Sequence, residues 1–488
     1  MNEKIKMIEP VEIWRNFADL NAVPRASKKE ERVIQFIKDF GQNLGLETIE
    51  DEVGNVIIRK PASPGMEDRK MVVMQSHLDM VHQKNNDTDF DFETQGINMY
   101  SDGDWVKAKG TTLGADNGLG VATIMAVLES DSIPHPPIEA LFTIDEETGM
   151  TGAKGLKGGL LQGEILLNLD TEEDNEIGVG CAGGIDISAC RPYEETETPF
   201  DHVAYKMSVK GLQGGHSGMD IHKGLGNANK LLNRLLYHTL VTIGAKLHKF
   251  DGGGLRNAIP RESEAVITVP KERIREFKQE FNTLKNQITK EYNALEPHIN
   301  LSIMETDVPA YVMDDNSFTR LTKALYAAHN GVYRMSPDIP DLVETSNNIA
   351  RVLTENKIIS INCLTRSSSE SSKNDLSSAL KATFELGGFD VEFSGDYPGW
   401  TPNMDSDILK VLKAKYSELN QGEEPHVAAC HAGLECGILG TNYPDLDMIS
   451  FGPNIKGAHS PDERAQISSV KKYWVFVKEI LKDIPVRN

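Results

Sequence analysis

Cysteine is scarce in this chain, positive charge is in deficit, and long apolar runs are missing. The five cysteines among 488 residues, Cys181, Cys190, Cys363, Cys430 and Cys436, are odd in number and scattered, and none forms a CxxC pair. That argues against a disulfide framework and fits a reducing compartment. All five read as small buried apolar residues. No stretch of about 18 apolar residues occurs, so no helical membrane span is expected. Segment 1–14 mixes Lys, Glu and Pro with single apolar residues and lacks the apolar centre of a signal peptide. A cytoplasmic location is the expectation. Lys and Arg number 51 against 73 Asp and Glu, a formal net charge of −22. Such a field repels phosphate backbones and anionic bilayers, so neither nucleic acid nor membrane is an expected partner. Most of that charge serves solubility, but carboxylates are also ready ligands for divalent cations.

What is present is an alternation of strands and helices. A single hydrophobic core stops growing near about 250–300 residues, so 488 residues imply two domains. Val33, Phe36, Ile37, Phe40 and Leu44 lie at helical spacing within 29–44. Residues 55–59 and 70–76 are β-rich, 117–129 reads as a buried helix, and the apolar runs 139–145 and 164–170 end in acids. This is an α/β layer structure, in which functional groups gather past the carboxyl ends of strands. His77, Glu146 and Asp170 sit at such ends.

The texture changes near residue 187. The polar stretch 191–202 reads as a domain crossing. Strand 203–210, helix 224–241, strands 246–251 and 263–269, helix 272–293 and strand 298–304 then follow in a β-α-β-β-α-β, ferredoxin-like order. A less regular pass comes next: helix 316–329, strands 341–346 and 357–363, helix 370–387 and strand 390–394. It is compatible with a second, diverged copy of the same unit. Segment 396–404 reads as the return crossing, and helix 466–483 closes the chain. The expectation is a discontinuous catalytic domain, 1–186 and 399–488, with a central mixed sheet flanked by helices. An inserted α+β lid spans 187–398.

Several short motifs carry candidate chemistry. SHLDMV sets His77 and Asp79 two residues apart, on one face of a strand, where a metal ligand and its orienting carboxylate would stand. Alone, the pattern fits ordinary polar residues equally well. LGADNG sets Asp116 on a Gly-flanked turn before a helix, and a helix N-cap is the plainer reading. TIDEETG gives Asp145, Glu146 and Glu147, either a solvated acidic turn or a metal ligand beside a free base. LNLDTEED gives Asp170, with Glu172 and Glu173 as rival ligands, and GAHSPDE gives His459 on a loop.

Taken in order, SHLDMV, LGADNG, DEETG, LNLDTEE, GGHSG and GAHSPDE resemble the dizinc metallopeptidase family that includes aminoacylases, carnosinases and bacterial dipeptidases. The resemblance covers essentially the whole chain. It implies two zinc ions bridged by Asp116, one completed by His77 and Asp170 and the other by Glu147 and His459. Manganese or cobalt can occupy such N/O sites. Asp79 would orient His77, and Glu146 would be the general base acting on a bridging water. The charges agree: two Zn²⁺ balance three carboxylates and a hydroxide, which avoids burying a net charge.

The resemblance extends to substrate. Asp at position 170 marks relatives that act on free amino termini, whereas Glu there marks deacylases. A dipeptidase is therefore expected, with a deacylase of N-acyl amino acids as the alternative. His216 in GGHSG matches a histidine that stabilises the oxyanion, Asn257 matches an N-x-x-P substrate contact, and Arg366 matches an arginine for the substrate carboxylate. HAGLECG, with His431 and Glu435, departs from the commoner family motif. It resembles the branch that cleaves aminoacyl-histidine dipeptides, so Xaa-His peptides such as β-alanyl-histidine are the expected substrates. Glu435 would meet the substrate amino group or simply begin a helix. Relatives are often dimers through the lid, so a homodimer is expected, with a doubled lid that mimics the partner inside one chain as the alternative.

Overall fold

The computed structural model describes residues 2–487, and the chain divides into two compact units. Unit 1 comprises Met1–Gly180, Trp400–Ala429 and Leu434–Asn488, and unit 2 comprises Cys181–Gly399 with Cys430–Gly433.

Unit 1 is built on an eight-stranded mixed sheet. Its centre is parallel, in the order Ile138–Thr143, Val72–His77, Ile165–Asn168 and Asp447–Ser450. Val56–Lys60 and Glu47–Glu50 extend it antiparallel on one side, and Glu176–Cys181 on the other. Strands Val72–His77, Ile138–Thr143 and Ile165–Asn168 are buried at every position. That explains why they read as largely apolar stretches rather than alternating ones. Their carboxyl ends lie side by side, which gathers His77, the 145–147 acids and Asp170 although the chain spaces them far apart.

Helix Ala115–Glu129 is apolar all round and buried almost throughout, as a helix inside the unit must be. A small sheet the sequence did not announce joins Ile455–Lys456, Arg464–Gln466, Trp105–Ala108 and Met99–Asp102. Its strands are too short for periodicity to speak.

Unit 2 holds one nine-stranded sheet. In one half, strands His202–Lys210, Lys246–Gly253, Ser263–Pro270 and Asn300–Thr306 lie in the spatial order fourth, first, third, second. In the other half, Gly183–Pro192, Val343–Glu355, Ile358–Ser367 and Asp390–Tyr397 show that same order. The halves join where Lys246–Gly253 pairs antiparallel with Val343–Glu355. One continuous apolar core, from Ile187 to Phe389, lies under the helices.

Some expectations need correction. The stretch 191–202 is no crossing: strand Gly183–Pro192 runs into it, and Glu195–Glu197 pairs with Tyr311–Met313. The polar side chains there fit strands with a wet face. The strand expected at 341–346 extends as Val343–Glu355, because its asparagines are hydrogen-bonded inside the sheet region: Asn347 Nδ2 donates to the His329 carbonyl and Asn348 Nδ2 to the Ala258 carbonyl. Cys181, Cys363 and Cys436 are buried, but Cys430 is half-buried and Cys190 is exposed.

Candidate metal centre

The centre begins with how each backbone delivers its side chain. Strand Val72–His77 ends at His77, whose imidazole is 1% exposed. Asp116 follows Gly114, which holds a left-handed φ of 71°. A Cβ there would run into the Arg25 guanidinium and the Met80 sulfur, so glycine is required both for conformation and for space. Asp116 itself leaves helical geometry (φ −81°, ψ 110°). Asp145 takes φ 52° and accepts from the Thr148 and Thr151 hydroxyls, forming the turn that carries Glu146 and Glu147. His459 stands in a loop at φ 63°.

These side chains converge. His77 Nε2 lies 3.3 Å from Asp116 Oδ1 and 3.5 Å from Asp170 Oδ1. His459 Nε2 lies 3.1 Å from Asp116 Oδ2 and 3.0 Å from Glu147 Oε2. The two oxygens of Asp116 thus face two different histidines, each with its own second carboxylate. Glu172 and Glu173 stand outside these clusters. Glu173 pairs with Lys456, and burial and then Asp116 push Glu172 up to about 8.

Behind the ligands lies a supporting layer. Asp79 Oδ1 is 3.3 Å from His77 Nδ1. Asp79 also accepts the backbone N–H of Glu146 at 3.0 Å and of Glu147 at 3.3 Å, and the Ser27 hydroxyl at 2.8 Å. One carboxylate therefore orients the histidine and holds the turn of the acids. Glu463 accepts four backbone N–H groups, from Leu113, Gly114, Ala115 and Asp116. It ties the His459 loop to the Asp116 turn. The fully buried Arg25 donates to the carbonyls of Leu78, Asp79 and Gly114.

Charge in the centre is lopsided. Hydrogen bonds that Asp116 and Glu147 accept from it raise His459 to about 11. Burial opposes protonation of His77, yet Asp170 and Asp116 lift it well above the usual range. Burial alone would raise Asp79, but His77, Ser27 and the Glu146 N–H bring it down to about 2. Burial pushes Asp170 up to about 6, with His77 opposing and Asp116 and Glu147 adding to it. Glu146 is held well above the carboxylate range by burial and then by Asp170, Glu435 and Glu147, against His77.

The donor set fits divalent cations. It offers imidazole and carboxylate ligands and no thiolate. Glu147 Oε1 and Asp170 Oδ1 are buried with no hydrogen-bond partner, an arrangement that costs free energy unless a cation or donor meets them.

Glu435 belongs to unit 1 and is 1% exposed at the start of helix Glu435–Asn442. Burial pushes it up to about 7, with His77 and a Thr143 hydrogen bond opposing. His216, Asn257, Arg366 and His431 belong to unit 2. His216 Nδ1 accepts from the N–H of Gly218 and Met219, at 3.2 and 3.1 Å, so its proton sits on Nε2. Burial and Arg366 lower its pKa, keeping it neutral. Residues Gly215–His216 pair with Ala258–Ile259, and the Asn257 carbonyl accepts from Ser217, leaving the Asn257 side chain exposed. Arg366 is 5% exposed, donates to the Tyr397 hydroxyl at 2.7 Å, and keeps an unpartnered Nε. His431 bonds Ser346 at 2.8 Å, and burial and then Arg366 lower it to about 3.

Sequence reasoning passed over Ser27, Arg25 and Glu463. Glu463 stands four residues after His459 in a quoted motif, a spacing that signals a cap only once the Asp116 turn is beside it. Nothing local distinguishes Arg25.

The model of the family described as Peptidase family M20/M25/M40 matches residues 73–483. The chain is 42% identical over 487 residues to the cytosol non-specific dipeptidase of Escherichia coli (strain K12), covering 99% of this chain and 100% of that one. It is 43% identical to the crystal structure of aminoacylhistidine dipeptidase from Vibrio alginolyticus, with a TM-score of 0.96 and 100% of both chains covered. Aminopeptidase PepT from Bacillus cereus shares the fold at a TM-score of 0.57 and 16% identity, covering 98% and 99% of the two chains.

Proposed function

The chain belongs to peptidase family M20/M25/M40, and from that premise we propose that it is a metal-dependent dipeptidase acting on peptides with a free amino terminus, Xaa-His dipeptides such as β-alanyl-histidine among them. The observation that carries this reading is the pair of histidines facing opposite oxygens of Asp116. Asp116, His77 and Asp170 would hold one cation, and Asp116, Glu147 and His459 the other. Zinc is the proposed pair, with manganese or cobalt as substitutes. When bound, such ions polarise a peptide carbonyl and lower the pKa of water toward about 7.

The remaining steps fall to the chain's own side chains. Glu146 takes the proton of the attacking water and returns it to the leaving amine. Its carboxylate lies within 4.8 Å of the His77 and Glu147 ligand atoms, which supports that role. Asp79 keeps His77 turned and the Glu146 turn in register. From unit 2 we propose His216, with its Nε2 proton, as the oxyanion donor. Arg366, whose buried Nε lacks an acceptor, is proposed for the substrate carboxylate, and Asn257 for the substrate backbone. The compartment proposed is the cytosol, as the name of the Escherichia coli relative suggests. No helix among the described residues is long and apolar enough to cross a membrane. A homodimer through unit 2 is the proposed assembly, and a monomeric mass by light scattering would remove it.

Metal analysis combined with a panel of free and N-acetylated dipeptides tests the function. About two ions per chain and cleavage of the free peptides are expected. Cleavage confined to N-acetyl substrates would replace the reading with a deacylase.

A further inference from the structure

Among the described residues three carboxylate oxygens are buried without a hydrogen-bond partner: Glu147 Oε1, Asp170 Oδ1 and Glu435 Oε1. The first two belong to proposed metal ligands. The third does not, and its surroundings are unusual. A hydrogen-bonded ladder crosses the carboxyl ends of the parallel strands of unit 1. The Ser450 hydroxyl donates to Asn168 Oδ1 at 2.5 Å, and Asn168 Nδ2 donates to Gln75 Oε1 at 2.6 Å. Gln75 Nε2 then donates to Glu435 Oε2 at 2.7 Å. From the other side the Thr143 hydroxyl donates to the same Oε2 at 2.7 Å.

Each donor along this ladder points toward Glu435. Amide and hydroxyl dipoles aligned head to tail reinforce one another, and their common end stabilises a negative charge. The ladder thus favours ionised Glu435 while satisfying only one of its oxygens. Gln75 precedes His77 by two residues on strand Val72–His77, and Asn168 ends its strand two residues before Asp170, so the ladder runs beneath both proposed ligands. Glu435 also lies within the electrostatic reach of His77 and Asp170. A buried carboxylate oxygen left open beside a peptidase centre calls for a cationic donor that arrives with the substrate.

We infer that Glu435 Oε1 receives the protonated amino terminus of the peptide and so selects free-amine over N-acylated substrates. This rests on the dipeptidase reading and adds the group that enforces it. The alternative that Glu435 merely opens a helix leaves the ladder's direction and the open oxygen without a use.

The test reads binding rather than turnover. Metal-replete enzyme is titrated calorimetrically with a non-hydrolysable dipeptide isostere, once with a free amine and once N-acetylated. Wild type should prefer the free amine. Glu435→Gln, which keeps the shape and removes the charge, should weaken the free-amine isostere by about 10- to 100-fold, the range one charge-assisted hydrogen bond carries. It should leave the N-acetyl isostere and the bound metal unchanged, and Glu435→Asp should recover part of the preference. Equal loss for both isosteres, a parallel loss of metal, or an unchanged preference would each overturn the assignment. If wild type binds the free-amine isostere selectively but cleaves no dipeptide, the dipeptidase reading fails while the Glu435 assignment stands.

Discussion

Two pairs of histidines in this chain meet opposite fates. In unit 1, His77 and His459 lie against Asp116, Asp170 and Glu147, and their pKa values are driven up. In unit 2, His216 is half-buried and His431 buried, both within the field of Arg366, and their pKa values are driven down. The same side chain faces carboxylates in one unit and is held as a neutral hydrogen-bonding group in the other. What differs is the company: carboxylates that outnumber the single buried Arg25 in unit 1, and Arg366 in unit 2. Histidine counts in a sequence therefore say little until the neighbouring charges are known.

The contrast can be broken most severely at Asp116. Asp116→Ala should lower kcat by on the order of a thousandfold or more and reduce bound metal, measured by turnover and by elemental analysis. Retention of two ions per chain would take Asp116 out of the bridging role. Glu146→Gln should lower kcat by about 10²- to 10⁴-fold while metal content stays at the wild-type level. His216→Ala should cost about 10²- to 10³-fold in kcat, again with metal retained, because the role proposed for it acts on developing charge and not on cation binding. Loss of metal in that variant would erase the difference between the two histidine pairs.

The smallest effect concerns pH and stability. His431 has its folded pKa lowered to about 3, whereas the unfolded chain takes up the proton near 6.5. Between those values the unfolded state binds the extra proton. The stabilisation is therefore fully present above pH 6.5 and is lost as pH falls toward 3, with a slope of at most about 1.4 kcal/mol per pH unit. Denaturant unfolding across that window should show a shallower dependence for His431→Gln than for wild type. Identical slopes would mean that His431 is already charged in the fold.

The parallel strands of unit 1 were legible because both faces are buried, so that they read as apolar runs whose ends carry the acids. The strand Val343–Glu355 was legible only at its start. Its asparagines belong to a hydrogen-bond network whose partners, His329 and Ala258, lie elsewhere in the chain. The 191–202 stretch misled for a related reason: polar strand residues that face water look like a linker.

By itself the sequence determined the order of motifs and the α/β alternation, which follow from local periodicity, whereas the candidate ligand set came from the resemblance that the ordered motifs carry. Only the tertiary structure decided that Asp170 rather than Glu172 or Glu173 faces His77, that Glu463 and Arg25 hold the Asp116 turn, and that a ladder from Ser450 converges on Glu435. Those choices depend on contacts between residues as far apart as Gln75 and Glu435. The chain's local propensities carry no record of which distant dipole will arrive at a given carboxylate.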